Sequence, residues 1–260
     1  MFSHKPFAVI ADAFARAGIA TLRYDDRGFG ESTGDVVLCT TEDLKNDALA
    51  GVKLLRDRFE RVGMIGHSEG GSIALMLAGE RQVDFAVSLA GMIVSGAETL
   101  LAQNRRAFES AGLPESEVEA FARLLSDTFT AIKTRAPLPS ADDYDITDAL
   151  RKNYAAALPS FRTPYMEFFL GLDLSASLSG ITCPVMALNG AKDTQVQCDR
   201  NIAALKAGLP SNSRSVIRAE DGLNHLFQHC VTGEVSEYKN IEETFSPEVL
   251  SEMIAWIKTL

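Results

Sequence analysis

The sequence predicts an α/β protein with a mostly parallel sheet covered by helices on both faces, and three observations predict it. Short apolar runs alternate with stretches of helical periodicity: IATLRY, RVGMIG and FAVSLAG early in the chain, PVMALNG and RSVIRA late in it. The runs are largely continuous in apolar character, as strands buried on both faces require. The 260 residues, 46% hydrophobic and 23% charged, suffice for one such domain with an insertion.

The first element is a helix. Phe7, Ile10, Phe14 and Ala17 recur at helical spacing, and Gly18 is a natural stop. No charged stretch followed by a long apolar core precedes it, so the N-terminus reads as an amphipathic helix rather than a signal peptide. IATLRY follows as a short buried strand, and then the turn-rich DDRGFGESTG, in which Asp25, Asp26 and Arg27 read as a salt-bridged turn. Thr41, Glu42 and Asp43 open a helix that runs to about Arg58. RVGMIG is the next strand. It ends in GHSEGG, with the apolar helix IALMLAG directly behind it and FAVSLAG as a third strand.

From about residue 95 to 178 the alternation stops. Helical stretches follow one another, with starts at Ser95 and Glu98, at Pro114, and at Ser140 with Asp143. The segment is rich in aromatics and reads as a helical cap inserted into the α/β unit. Residues 1–94 and 179–260 are thus the core, and 95–178 the cap. PVMALNG, opened by Pro184, resumes the pattern, followed by a helix around 198–207 and the strand RSVIRA. After a long loop, Ser246 and Pro247 open a last helix that carries Trp256.

Charge and cysteine content narrow the function classes. A formal net charge of -10 and a sequence pI near 4.9 disfavour a nucleic-acid partner, and no basic run suggests a membrane surface. Cys39, Cys183, Cys198 and Cys230 form no C-x-x-C pair and no zinc-type spacing, so they read as free thiols, with no metal expected. A reducing, cytoplasmic setting is the default reading. No apolar run is long enough to span a bilayer.

The chemistry concentrates in Gly66-His67-Ser68-Glu69-Gly70, a G-x-S-x-G sequence between a strand and a helix. A nucleophile on so tight a turn projects clear of the sheet, with glycine needed at Gly66 and Gly70 to avoid collisions with neighbouring backbone. A serine hydroxyl needs a base. Among four histidines, His225 in the loop DGLNHLFQ is preferred over His229, and His67 lies inside the turn itself. The base needs a carboxylate on its other nitrogen. Asp193, in GAKDTQV at the C-terminal rim of a strand, is preferred over Glu220 and Asp221. The Glu69 side chain is expected to point away along the helix, while its backbone N–H serves as an oxyanion donor.

YDDRGFGESTG, GHSEGG, NGAKDTQV and LNHLFQ together resemble bacterial α/β-hydrolases of the esterase group, the serine aminopeptidase-like proteins related to dipeptidyl aminopeptidases and acylaminoacyl-peptidases. The resemblance runs from about residue 4 to the C-terminus. It implies the α/β-hydrolase fold, the triad Ser68, Asp193 and His225, the oxyanion donor Glu69, and a helical cap after the third strand. It also exposes a departure. Family members carry earlier strands and a Gly-rich loop that supplies a second oxyanion N–H, and this sequence shows neither before its first helix. The expectation is a sheet N-terminally truncated relative to the family. It would lack the strand that lies between IATLRY and RVGMIG and leave two facing edges without their shared partner.

The function implied is a cofactor-free carboxylesterase that acts on a small-molecule ester through an acyl-enzyme on Ser68. Two rivals stand beside it: a peptidase that releases amino acids or dipeptides, and an inactive or incomplete hydrolase-fold fragment. The sequence leaves a homo-oligomer open.

Overall fold

The computed structural model of the chain describes residues 4–260. In chain order its helices are α1 (Pro6–Arg16), α2 (Thr41–Arg56), α3 (Glu69–Gly79), α4 (Gly96–Ser110), α5 (Glu115–Thr134), α6 (Asp148–Phe161), α7 (Pro164–Gly171), α8 (Cys198–Gly208) and α9 (Pro247–Lys258). The strands are β1 (Met64–His67), β2 (Ala86–Leu89), β3 (Val185–Gly190) and β4 (Val216–Glu220). They form one sheet in the spatial order β1-β2-β3-β4, every pair parallel, with Met64 opposite Ala86, Ala86 opposite Val185 and Met186 opposite Val216. Parallel neighbours need a crossover each. α3 supplies the first, the long segment holding α4 to α7 the second, and α8 the third.

Alternate strand residues enter the two helical layers. Val185 and Ala187 of β3 pack with Val52 of α2, Leu77 of α3 and Ile202 of α8. Met186 and Leu188 face the other way, onto Phe14 of α1 and Met253 and Trp256 of α9. The Trp256 ring meets Phe85 edge to face at 5.9 Å, and its indole N–H donates to the Arg214 carbonyl at 2.6 Å.

The helix starts follow local chemistry. Thr40 and Asp43 form a capping box on α2, each side chain accepting the other's backbone N–H. Ser95 caps α4 and Ser246 caps α9 through the N–H of Glu98 and Val249. The start expected at Ser140 yields only a single 3₁₀ turn, Ala141–Asp143, because Tyr144 leaves the helical region at φ -119°, ψ 141°. α6 opens later, at Asp148, and α7 opens at Pro164 with Thr163 as its cap. α4 to α7 share an apolar cluster of their own, with Phe121, Leu125, Phe129 and Leu150 at its centre.

One expected strand is absent. Residues 19–24, IATLRY, form no ladder with any described residue, and Leu22 and Tyr24 are exposed rather than buried. A strand is held by its neighbour's backbone. Here β1 is the edge of the sheet, and a cavity of about 390 Å³ is lined by residues 18–23 on one side and Val62, Gly63 and Ile65 on another.

Candidate active site

β1 ends at His67 and α3 begins at Glu69, so Ser68 alone makes the turn. It does so at φ 56°, ψ -121°, a conformation that costs a non-glycine residue about 1–3 kcal/mol. Its backbone is tied on both sides: the N–H donates to the Leu89 carbonyl at 2.8 Å, and the carbonyl accepts from Gly71 and Ser72. The hydroxyl forms no cap on α3. The Glu69 N–H is the first of that helix, where no intrahelical acceptor exists, so it is free to meet a developing negative charge.

The crowding is not quite where the motif suggests. A Cβ on Gly66 would sit 1.8 Å from the Gly70 carbonyl oxygen, so glycine is obligatory there. A Cβ on Gly70 would meet nothing within 4 Å, which corrects the expectation that this glycine is sterically required. The second crowded position is Gly71, where a Cβ would lie 2.9 Å from the Gly91 Cα. The reason is that α3 passes over the chain leaving β2.

Asp193 and His225 are brought together from loops following β3 and β4. The His225 ring bonds Asp193 Oδ2 through Nδ1 at 2.7 Å, and both side chains are almost fully enclosed. A carboxylate only accepts, so Nδ1 carries the hydrogen and donates, leaving Nε2 as the atom that can exchange a proton. Asp193 is itself fixed. Its Oδ1 accepts from the N–H groups of Gln195 and Val196 at 2.8 and 2.9 Å, and its Oδ2 from the Asn189 amide at 3.1 Å. The histidine loop is equally constrained. Asn224 Oδ1 accepts from Leu226 and Gln228 N–H, and the Asn224 amide donates to Gln228 Oε1 at 3.0 Å. Gly190 allows the two loops to approach, since a Cβ there would lie 2.5 Å from the carbonyls of Leu223 and Asn224.

His67 joins this pair to the serine. Its Nε2–H donates to the His225 carbonyl at 2.7 Å, and the two rings lie 4.5 Å apart. Burial, reinforced by the neighbouring His225, pushes the His67 pKa down to about 4, so it stays neutral near pH 7 and acts as a brace. The sequence placed His67 in the turn without a role, and nothing in its spacing signals one. Asn189, Asn224 and Gln228 were likewise unmarked.

The Glu69 side chain does not point away from the fold. Its carboxylate accepts from the Thr41 hydroxyl at 2.6 Å and from the Tyr165 hydroxyl at 2.9 Å, linking α3 to α2 and to α7. Burial and the adjacent Glu69 charge hold the Tyr165 hydroxyl well above the ordinary phenol range. Tyr165 stacks on Phe169, which with Met92 and Val196 forms a small apolar cluster between α7 and the loop that carries Asp193.

The rivals lie elsewhere. His229 is exposed and pairs with Glu243 at 3.0 Å, and Glu220 pairs with Arg218. Asp221 is exposed. The turn is not salt-bridged within itself as expected: Arg27 reaches past Asp25 and Asp26 to α2, its Nε and Nη2 donating to Asp47 at 2.6 and 2.7 Å, because the helix presents that carboxylate to the guanidinium. The four cysteines are free. Among the described residues no group of His, Cys, Asp or Glu is arranged to hold a metal, and no helix is long and apolar enough to cross a membrane.

The profile of the family described as Serine aminopeptidase, S33, matches residues 3–228. Esterase EstD of Thermotoga maritima is 34% identical over 89 residues, which make up 34% of this chain and 22% of that protein. The chain thus matches about a fifth of this curated relative's length. Among solved structures, an esterase of Pyrococcus furiosus aligns with a TM-score of 0.56 at 20% identity, covering 98% of this chain and 74% of the other. Proline iminopeptidase of Mycobacterium smegmatis aligns with a TM-score of 0.55 at 16% identity, covering 99% and 86%. At these identities the structural likeness establishes the fold.

Proposed function

Because the chain belongs to the serine aminopeptidase S33 family of α/β-hydrolases, we propose that it is a serine hydrolase that cleaves small carboxylic esters through an acyl-enzyme on Ser68. The observation that carries this reading is the His225–Asp193 pair, held at 2.7 Å in an enclosed site and braced by His67 against the strained turn that presents Ser68.

In this scheme Ser68 Oγ attacks the ester carbonyl while His225 Nε2 takes its proton. Asp193 holds the imidazole in the required tautomer and stabilises the cation that forms. His225 then returns the proton to the departing alcohol. Water, activated by the same imidazole, releases the acid from Ser68. The Glu69 N–H, at the positive end of α3, stabilises the oxyanion. Residues 95–178 act as the cap, and the cluster of Met92, Phe169 and Val196 receives a small to medium apolar acyl group.

The test compares p-nitrophenyl butyrate with aminoacyl-p-nitroanilides, alongside labelling by a fluorophosphonate probe. Faster ester cleavage and labelling that vanishes in Ser68→Ala are expected. Preference for the anilides would replace the ester reading with a peptidase. Folded protein that neither labels nor turns over would reject the nucleophile.

A further inference from the structure

Asp193 and His225 stand on different loops, so their 2.7 Å bond depends on what fixes one loop against the other. Two backbone bonds do so close to the sheet: Ala191 N–H to Glu220 O at 2.8 Å and Lys192 N–H to Leu223 O at 3.0 Å. Both lie before the reacting pair. Beyond it stands Tyr238, a fully enclosed side chain on the 3₁₀ turn Val235–Asn240. Its hydroxyl oxygen accepts from the Gln195 side-chain amide at 3.1 Å and faces the backbone N–H of His225. Gln195 is also the residue whose backbone N–H binds Asp193 Oδ1 at 2.8 Å. One oxygen thus meets donors from both loops, one on His225 itself and one two residues past Asp193.

The turn is built to hold that ring in place. The Glu237 carboxylate accepts from the N–H groups of Val231, Thr232 and Gly233 at 2.8, 3.0 and 3.0 Å and from the Thr232 hydroxyl at 2.8 Å, closing the chain before the turn onto the turn itself. These donors hold the Glu237 pKa down to about 2, so it stays ionised. Gly233 lies so close to the loop carrying Asp193 that a Cβ would be 1.9 Å from the Lys192 carbonyl oxygen, and its own carbonyl accepts from the Thr194 hydroxyl at 3.1 Å. The Lys192 ammonium reaches the Cys230 and Val231 carbonyls at 3.1 and 2.9 Å. Burial pushes the Tyr238 pKa up to about 12, so its oxygen is a neutral acceptor through the working range.

We propose that Tyr238 is a positioning residue for the Ser68 reaction, its hydroxyl setting the His225 imidazole against the Asp193 carboxylate. This rests on the reading of those two residues as base and orienting acid. A ring that only filled space would need no hydroxyl, and burying one without partners costs stability. Here the hydroxyl meets two donors, each on or beside a member of the reacting pair. Removing it leaves both donors short of an acceptor in an enclosed site, so the two loops shift to satisfy them and the imidazole loses its fixed approach to Asp193.

The test is Tyr238→Phe in the full chain, which keeps the ring and removes the acceptor. Proton NMR follows the His225 Nδ1 hydrogen that bonds Asp193, and steady-state kinetics follow p-nitrophenyl butyrate. Exchange of that hydrogen with water is expected to quicken by about tenfold or more, and kcat to fall by about tenfold with KM little changed. Gln195→Met removes one of the two donors but leaves its backbone N–H on Asp193, so the same signature is expected more weakly. The double variant is expected to be no slower than Tyr238→Phe, because the amide acts through the hydroxyl. Exchange at the parent rate in Tyr238→Phe overturns the inference even where thermal stability has fallen, since the ring then only fills space. Parent kcat in that variant, or fully additive losses in the double variant, overturns it too. If Tyr238→Phe does not fold, Gln195→Met carries the measurement, and parent-like exchange there is equally fatal. If the parent itself cleaves no ester, the proposed activity fails, while the exchange rates still decide the role of Tyr238.

Discussion

Ser68 occupies a conformation that only its surroundings sustain, and those surroundings make separable demands on neighbouring glycines. Gly66→Ala forces a methyl group into the Gly70 carbonyl, so it is expected to lower stability by about 1–3 kcal/mol or more, or to prevent folding. Gly70→Ala adds a methyl group to open space within α3 and is expected to be neutral or to stabilise by up to about 1 kcal/mol. Urea titration of both variants checks the pair, and equal destabilisation would contradict the packing described. Asp193→Asn keeps an oxygen for Gln195 and Val196 but turns an amide toward His225. The ring must then take the wrong tautomer. Turnover is expected to fall by about 10⁴-fold with KM little changed, as measured by steady-state ester hydrolysis.

At the scale of elements, the site is a meeting of one turn and two loops at the C-terminal ends of parallel strands, the usual place for chemistry in such sheets. α7 is held to it by one polar link, from the Tyr165 hydroxyl to Glu69, whose other oxygen is taken by Thr41 of α2. With its pKa held high, the phenol remains a donor across the working range. Tyr165→Phe removes the donor and leaves a part-buried carboxylate oxygen short of a partner. The expected cost is about 1–3 kcal/mol in urea titration, with faster amide exchange in α7 than in β3. A variant with unchanged exchange in α7 would show that apolar packing alone holds this helix.

For the molecule as a whole, His67 ties stability to pH. Its folded pKa of about 4 lies below the ordinary value of 6.5, so between these two the unfolded chain binds a proton that the native state refuses. Stability contributed by the neutral ring is complete above about pH 6.5 and declines as pH falls toward 4, by up to about 1.4 kcal/mol per unit. His67→Gln can still donate to the His225 carbonyl but does not titrate. It is expected to flatten the stability curve in that window, read by urea titration at pH 7, 6 and 5. A curve as steep as that of the parent would place the acid sensitivity elsewhere.

Much of this architecture was legible because it rests on short-range rules. Continuous apolar runs marked β1 to β4, the Thr41–Asp43 and Ser246–Pro247 signals marked helix starts, and G-x-S-x-G between strand and helix marked the turn at Ser68. Chain order and loop position also sufficed to pair Asp193 with His225. What the amino-acid order by itself determined was therefore the run of elements and the residue types delivered to the rim. Tertiary structure alone decided that Gly71 rather than Gly70 is crowded, that Glu69 faces Tyr165, that His67 braces His225, and that IATLRY pairs with no described strand. Each of these depends on which distant segment comes within a few ångströms, and steric contact, hydrogen-bond partners and strand pairing exist only once the chain has closed on itself.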